Sequence, residues 1–226
     1  MLRFHIITIF PESFSYLGES IIGRAQEAKK IAVSFLNPRD FTRDKHRITD
    51  DKAYGGGPGM VMKAEPVLKA VFAALRRIRN KESRIKRTKI ILFTPRGEQF
   101  TKVHAKDLSK MDNVILIAGH YEGIDARVLS MIHDSGFMIQ EISVGPYILS
   151  GGELPAMILV DAVARQIPGV LGKSESLEES REASPEVYTR PESFTYKKKT
   201  YRVPEVLRSG DHKKIEEWRR GRRSSE

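Results

Sequence analysis

Through the first 170 residues, short apolar runs alternate with segments of helical period, and that alternation leaves few architectures open. Leu2–Ile9, Ile31–Leu36, Lys89–Phe93, Val114–Ala118 and Phe137–Ile142 are rich in Ile, Val, Leu and Phe and are flanked by breakers, which predicts strands. Ser15–Lys29, Ala64–Arg79, Thr101–Lys110 and Ile124–His133 carry apolar residues three and four apart, which predicts helices, and Glu153–Gln166 continues the series as a long buried helix. Strand–helix alternation implies an α/β domain with a mainly parallel sheet covered on both faces. No apolar stretch approaches the roughly 18 residues of a membrane span.

The alternation stops near residue 172. From Lys173 to Glu186 the chain is polar and nearly free of large apolar residues, so it predicts a flexible linker between two domains. Beyond it, Tyr188, Phe194, Tyr196, Val203, Val206, Leu207, Ile215 and Trp218 are the candidates for a miniature core in residues 187–226. About 40 residues is near the lower limit for independent folding, so this small, helical piece is expected to lean on the main domain or on a second copy.

Charge points to a polyanionic partner. Lys and Arg total 39 against 29 Asp and Glu, a net charge of +10. The excess is concentrated: residues 76–89 hold eight basic residues and the single acid Glu82, and residues 197–226 hold eleven basic residues and five acids. Clustered cations suit phosphate contacts. The chain has no cysteine, which excludes disulfides and thiolate chemistry. The six histidines show no ligand spacing, so no metal site is expected. The N-terminal residues lack the pattern of a secretory signal, and a cytoplasmic protein is the expectation.

Glycine clusters mark where chemistry could sit. Ala53–Met60 contains Gly55-Gly56-Gly57-Pro58-Gly59, Ala118–Asp125 follows a predicted strand, and Ser143–Glu153 contains Gly145 and Gly151-Gly152. Thr94-Pro95-Arg96-Gly97 follows another strand. Ligands bind open parallel sheets beyond the carboxyl ends of strands, so the four loops are expected to converge. Neither the dinucleotide fingerprint nor the P-loop pattern occurs.

Read in order, these segments resemble the bacterial TrmD family of tRNA (guanine-N1-)-methyltransferases, in the SPOUT superfamily. The likeness is carried by Ile9-Phe10-Pro11-Glu12, Tyr54-Gly55-Gly56-Gly57-Pro58-Gly59-Met60, Gly119-His120-Tyr121-Glu122-Gly123-Ile124-Asp125, Leu149-Ser150-Gly151-Gly152-Glu153-Leu154-Pro155 and Ile167-Pro168-Gly169. It continues through Tyr188-Thr189-Arg190-Pro191 and Val203-Pro204-Glu205-Val206-Leu207, collinear over nearly the whole chain.

The resemblance implies a SPOUT methyltransferase domain over 1–172 with a deep trefoil knot, the linker 173–186, and a small basic helical tRNA-binding domain over 187–226. It also implies a homodimer acting on tRNA rather than DNA. The reaction it implies is methyl transfer from S-adenosyl-L-methionine to N1 of the guanosine at position 37, 3′ of the anticodon. Cofactor contacts carried over by motif are Thr94, Pro95, Gly119, Tyr121, Glu122, Ser143, Val144, Gly145, Pro146, Tyr147, Ile148, Leu149, Gly151, Gly152 and Pro155. The family links Mg²⁺ to the transfer step, with Glu122 as the matching contributor.

Chemistry sets two further demands. Guanine N1 is a poor nucleophile until its proton leaves, so a general base is needed, and a cation near O6 would stabilise the charge that develops. In the family these are a linker aspartate and the arginine before Ile-Pro-Gly. The arginine matches Arg165. The base position holds Glu178-Glu179-Ser180 here; Glu179 matches the family's order, with Glu178 and Glu182 the alternatives after a register slip. Pro146 stands where the family carries aspartate, and the basic tail after Trp218 is short. Other readings of the same residues are a SPOUT RNA methyltransferase with another target nucleotide, or an RNA-binding protein without catalysis.

Overall fold

A computed structural model describes residues 1–79, 87–171 and 186–221. Five parallel strands form the main sheet: β1 (Leu2–Ile7), β2 (Ile31–Leu36), β5 (Thr88–Gln99), β6 (Asn113–Ile117) and β7 (Ile139–Ser143), in the order β2-β1-β6-β5-β7. A two-stranded ladder, β3 (Asp50–Asp51) with β4 (Val61–Met62), lies outside it.

Period-two alternation in the strands builds two cores. Ile91 and Phe93 of β5, with Val114 and Leu116 of β6, join the core packed under α1 (Ser20–Glu27), α3 (Lys102–Leu108) and α5 (Glu153–Arg165). Their neighbours Ile90, Leu92, Ile115 and Ile117 face the opposite core, under α2 (Ala64–Arg79) and α4 (Arg127–Asp134). Both faces are therefore covered, as strands apolar at every position require.

Most expected elements shift by one to three residues at their ends, and two differ more widely. Ser15–Lys29 is not one helix: a 3₁₀ segment, Pro11–Gly18, precedes α1. Glu19 is extended and Ser20 has φ 49°, and the chain turns so tightly that a Cβ on Gly23 would lie 2.2 Å from the Gly18 carbonyl oxygen. The strand predicted at Lys89–Phe93 runs on to Gln99. Ile142 of β7 is opposite both Phe93 and Glu98, so Thr94–Gly97 bulges out of the ladder before pairing resumes. Gly97 permits this, because a Cβ there would meet the Ile142 nitrogen at 2.5 Å.

The backbone divides into two units, Met1–Ser174 and Glu175–Glu226. In the second, the expected helical piece also carries two strands. Ser193–Tyr196 (β8) and Lys199–Arg202 (β9) form an antiparallel hairpin ahead of α6 (Glu205–Arg208) and α7 (His212–Gly221). Alternating aromatic and threonine residues favour strand, and the turn lacks the usual glycine that would have advertised it. None of the eight candidate core residues there is buried: Val203, Val206, Leu207, Ile215 and Trp218 are half-buried and Tyr188, Phe194 and Tyr196 are exposed.

Candidate active site

The neighbouring strands β6, β5 and β7 end side by side, and beyond their carboxyl ends lies a cavity of about 470 Å³. Its lining brings together Thr94, Pro95, Gly119, Tyr121, Glu122, Ser143, Val144, Gly145, Tyr147, Ile148, Leu149, Gly151, Gly152 and Pro155. Pro146, grouped with them by motif, is exposed and is not among the lining residues.

Three loops, not four, converge. The bulge after β5 supplies Thr94–Arg96, the turn after β6 supplies Gly119–Ile124, and the segment after β7 supplies the rest. The Gly55–Gly57 run instead borders a neighbouring groove lined by Ala53, Tyr54, Val61 and Met62, and Tyr54 is fully exposed. Its downstream end still braces the cavity: Glu122 donates its N–H to the Met60 carbonyl at 3.0 Å, and Met62 donates to Gly123 at 2.9 Å. At Gly59 a Cβ would collide with the Glu122 side chain at 2.5 Å.

Close main-chain approach defines the walls. Gly152 donates its N–H to the Gly119 carbonyl at 2.7 Å, and a Cβ on it would sit 2.5 Å from the Ala118 Cα. Gly145 packs so tightly on the Tyr147 ring that a Cβ would come within 2.2 Å of it. Tyr121 adopts φ 61°, a left-handed conformation uncommon for a non-glycine residue, and turns the loop toward the strand ends. Ser143, buried, closes a local turn: its hydroxyl donates to the Gly145 carbonyl at 3.0 Å, and Gly145 donates its N–H back at 3.3 Å.

Behind the wall lies a buried polar chain that sequence reading passed over. Glu153, the first residue of α5 and 8% exposed, accepts a hydrogen bond from the Thr8 hydroxyl at 2.9 Å. Its other oxygen is 3.6 Å from His120 Nδ1, a buried nitrogen with no hydrogen-bond partner. The His120 ring also meets Phe10 and Tyr121 edge-on, at 5.1 and 4.9 Å between centroids. Thr8 and Glu153 are 145 positions apart in the chain, and no local pattern pairs them.

Charge in the cavity opposes that of the chain. Glu122 and Glu141 line it against the single cation Arg96, although the molecule carries +10. Its walls suit a cationic or dipolar ligand whose neutral parts are held by amides. Among the described residues no group of three or more His, Asp or Glu stands ready to hold a metal ion.

The two residues expected to act on the base are placed differently. Arg165 sits in the last turn of α5, half-buried and outside the cavity lining, about 15 Å from Pro155 by helical rise. It lies on one stripe with Leu154, Ile158 and Asp161, spaced i, i+4, i+7 and i+11. Asp161 on that stripe accepts a hydrogen bond from the Tyr16 hydroxyl at 2.5 Å, which raises the tyrosine's pKa. Glu179, with Glu178, Ser180 and Glu182, lies outside the described residues.

Fold and cavity together define an open, mainly parallel α/β protein with a glycine-rich cavity at its strand ends. The model of the family described as tRNA (Guanine-1)-methyltransferase TrmD matches residues 2–226. A tRNA (guanine-N(1)-)-methyltransferase of Pseudoalteromonas atlantica is 48% identical over 221 residues, covering 96% of this chain and 78% of its own. A relative of the same name from Dictyoglomus turgidum is 46% identical over 226 residues, covering 97% of this chain and 84% of its own. One from Clostridioides difficile is 44% identical, covering 97% and 91%. The chain belongs to the TrmD family.

Proposed function

We infer that this chain is a tRNA (guanine-N1-)-methyltransferase that uses S-adenosyl-L-methionine to convert the guanosine at position 37 into 1-methylguanosine. The observation that carries the reading is the strand-end cavity, acidic in a basic protein and walled by backbone. Its volume of about 470 Å³ falls in the range of small-ligand sites. Gly119, Gly145 and Gly152 would let main-chain amides approach the adenosine, and Glu122 and Glu141 would face the positive sulfonium. When bound, that cofactor supplies an electrophilic methyl group, so no covalent bond to the enzyme is needed.

The protein's own task is to prepare the nucleophile. A carboxylate must take the proton from guanine N1, and Glu179 is the linker residue proposed for it on motif order alone. A guanidinium near O6 would hold the developing negative charge, and Arg165 is the residue proposed there. Because Arg165 lies outside the cavity of its own chain, the reading includes a second copy. Leu154 and Ile158, 54% and 43% exposed on the stripe that carries Arg165, support a homodimer packed along α5. A two-fold interface of this kind uses the same face on both chains. Mg²⁺ commonly takes one or two carboxylates together with substrate oxygens, and exposed Glu122 is the carboxylate at the cavity suited to it.

The proposal extends to a SPOUT trefoil knot in the first unit, tRNA contacts from the second, and a cytoplasmic location. No helix among the described residues is long and apolar enough to cross a membrane. The test is direct: with labelled S-adenosyl-L-methionine and unmodified tRNA, 1-methylguanosine forms 3′ of the anticodon. Glu179→Gln slows that transfer about 10²–10⁴-fold, as loss of a general base does, with cofactor affinity unchanged. Turnover close to wild type in that variant removes Glu179 from the mechanism.

A further inference from the structure

In the second unit every residue of β8 and β9 is exposed. The register pairs Phe194 with Tyr201 and Tyr196 with Lys199, and directly opposed residues share a face. Three aromatic rings and a lysine thus form one surface, with Phe194, Tyr196 and Tyr201 at 58%, 60% and 43% exposure. Phe194 and Tyr201 stack at 5.5 Å with 19° between planes. Thr195 and Thr200 hydrogen-bond to each other at 3.1 Å on the opposite face, which keeps the pairing in register without using the aromatic side.

Cations flank this surface at one end. Lys197, Lys198 and Lys199 are consecutive at the tip, while Arg202, opposite Ser193, closes β9 on the threonine face, and no acid lies between Glu192 and Glu205. Both flanking carboxylates are engaged by Arg208. Lys197 lies over the Tyr196 ring and Lys199 over the Tyr201 ring, at 5.5 and 5.3 Å. The turn itself is costly: Lys197 and Lys198 have φ 46° and 64°, where Asn-Gly would sit with less strain. Two lysines there place charge at the tip at the expense of turn stability.

We propose that this hairpin is a stacking platform for unpaired RNA bases, its rings taking the base faces and its lysines the phosphates. Exposed aromatics beside cations match single-stranded nucleic acid, because every base offers a π-face and every linkage a negative charge. A purely apolar protein partner would leave the lysines unpaired, and duplex RNA would leave the rings without stacking partners. The proposal rests on the tRNA-modifying reading above and assigns part of that substrate's grip to β8–β9.

The experiment uses the full chain with three probes: a tRNA transcript, a stem-loop with unpaired bases, and a fully paired duplex of equal length. Tyr196→Ala weakens stem-loop and tRNA binding about 5- to 100-fold and leaves duplex binding unchanged, while Tyr196→Phe restores it. Replacing Lys197 by Asn and Lys198 by Gly preserves or stabilises the turn, weakens all three complexes, and flattens the dependence of log affinity on log salt by about one to two. If wild-type protein methylates tRNA and Tyr196→Ala binds the stem-loop as tightly, the platform is overturned and the enzyme reading stands. Equal loss on duplex and stem-loop, or a change in oligomer mass or melting temperature with RNA affinity intact, also overturns it, the latter in favour of a second copy or the chain itself covering the hairpin. Wild-type protein that neither binds nor methylates tRNA overturns both readings.

Discussion

Thr8→Val tests whether the buried chain behind the cavity is a structural tie. The Thr8 hydroxyl makes two hydrogen bonds: it donates to Glu153 Oε1 at 2.9 Å and accepts from the Phe10 N–H at 3.0 Å. Valine keeps the shape and deletes both. A hydrogen bond to a carboxylate contributes about 1.5–3 kcal/mol and a neutral one about 0.5–1.5 kcal/mol, and Glu153 is too buried for water to replace the lost donor freely. The added methyl recovers about 0.8 kcal/mol of burial. The net cost is about 1–4 kcal/mol, or a fall in melting temperature of about 2–15 °C for a unit of this size.

The tie joins the end of β1 to the start of α5 and, through Glu153, reaches within 3.6 Å of cavity-lining His120. Thr8→Val is therefore expected to weaken S-adenosyl-L-methionine binding in calorimetry as well as lowering stability in urea or heat. Thr8→Ser keeps both hydrogen bonds, loses only a methyl, and should fall by about 1 kcal/mol. If the valine variant unfolds within about 0.5 kcal/mol of wild type, the Glu153 carboxyl does not depend on Thr8 and the reasoning fails.

Two other perturbations follow from the same geometry. Gly152→Ala forces a Cβ to within 2.5 Å of the Ala118 Cα and 2.8 Å of the Gly119 nitrogen, both main chain, so it should abolish cofactor binding and lower the melting temperature; calorimetry and thermal unfolding check it. His5 is held below the usual histidine pKa by burial, with Arg77 and Arg3 adding to the effect against an opposing hydrogen bond that the ring donates to the Asn113 side-chain oxygen. The unfolded chain therefore binds its proton first, and stability is lost as pH falls below about 6.5 toward the folded-state value. Urea titrations between pH 7.5 and 5 should show this slope, and His5→Gln should flatten it.

How far the fold could be read in advance depends on where the information lies along the chain. β2 at Ile31–Leu36 and α2 at Ala64–Arg79 match their sequence patterns to the residue, because apolar period and breakers are local. The continuation of β5 to Gln99 was not legible, since Pro95 and Gly97 break the local pattern while pairing with β7 resumes only after the bulge. The β8–β9 hairpin was hidden for a related reason: its aromatic and threonine residues favour strand, but its turn uses Lys197-Lys198 where glycine or asparagine usually marks a hairpin. In the site, glycine clusters announced the loops after β5, β6 and β7 but also suggested Gly55–Gly57, which does not line the cavity. The Thr8–Glu153–His120 chain carried no sequence signal, because a hydrogen bond spanning 145 positions is set by topology rather than by spacing.

These differences share a physical origin. Gly97 and Gly152 are needed for want of space, and their φ values do not fall in the left-handed region; each lets one segment press on main chain that arrives from far along the sequence. A wall made by such contacts can hold a neutral nucleoside without side-chain charges, but it cannot relax around an added methyl, since the opposing atoms belong to sheet strands or to turns fixed by them. Stability and ligand binding should therefore fall together at these glycines, in contrast to the β8–β9 hairpin. There every side chain is exposed, and the lysines at the tip can be exchanged with gain to the fold and loss to RNA binding. The cavity and the hairpin thus call for opposite mutational responses, coupled at one and traded off at the other.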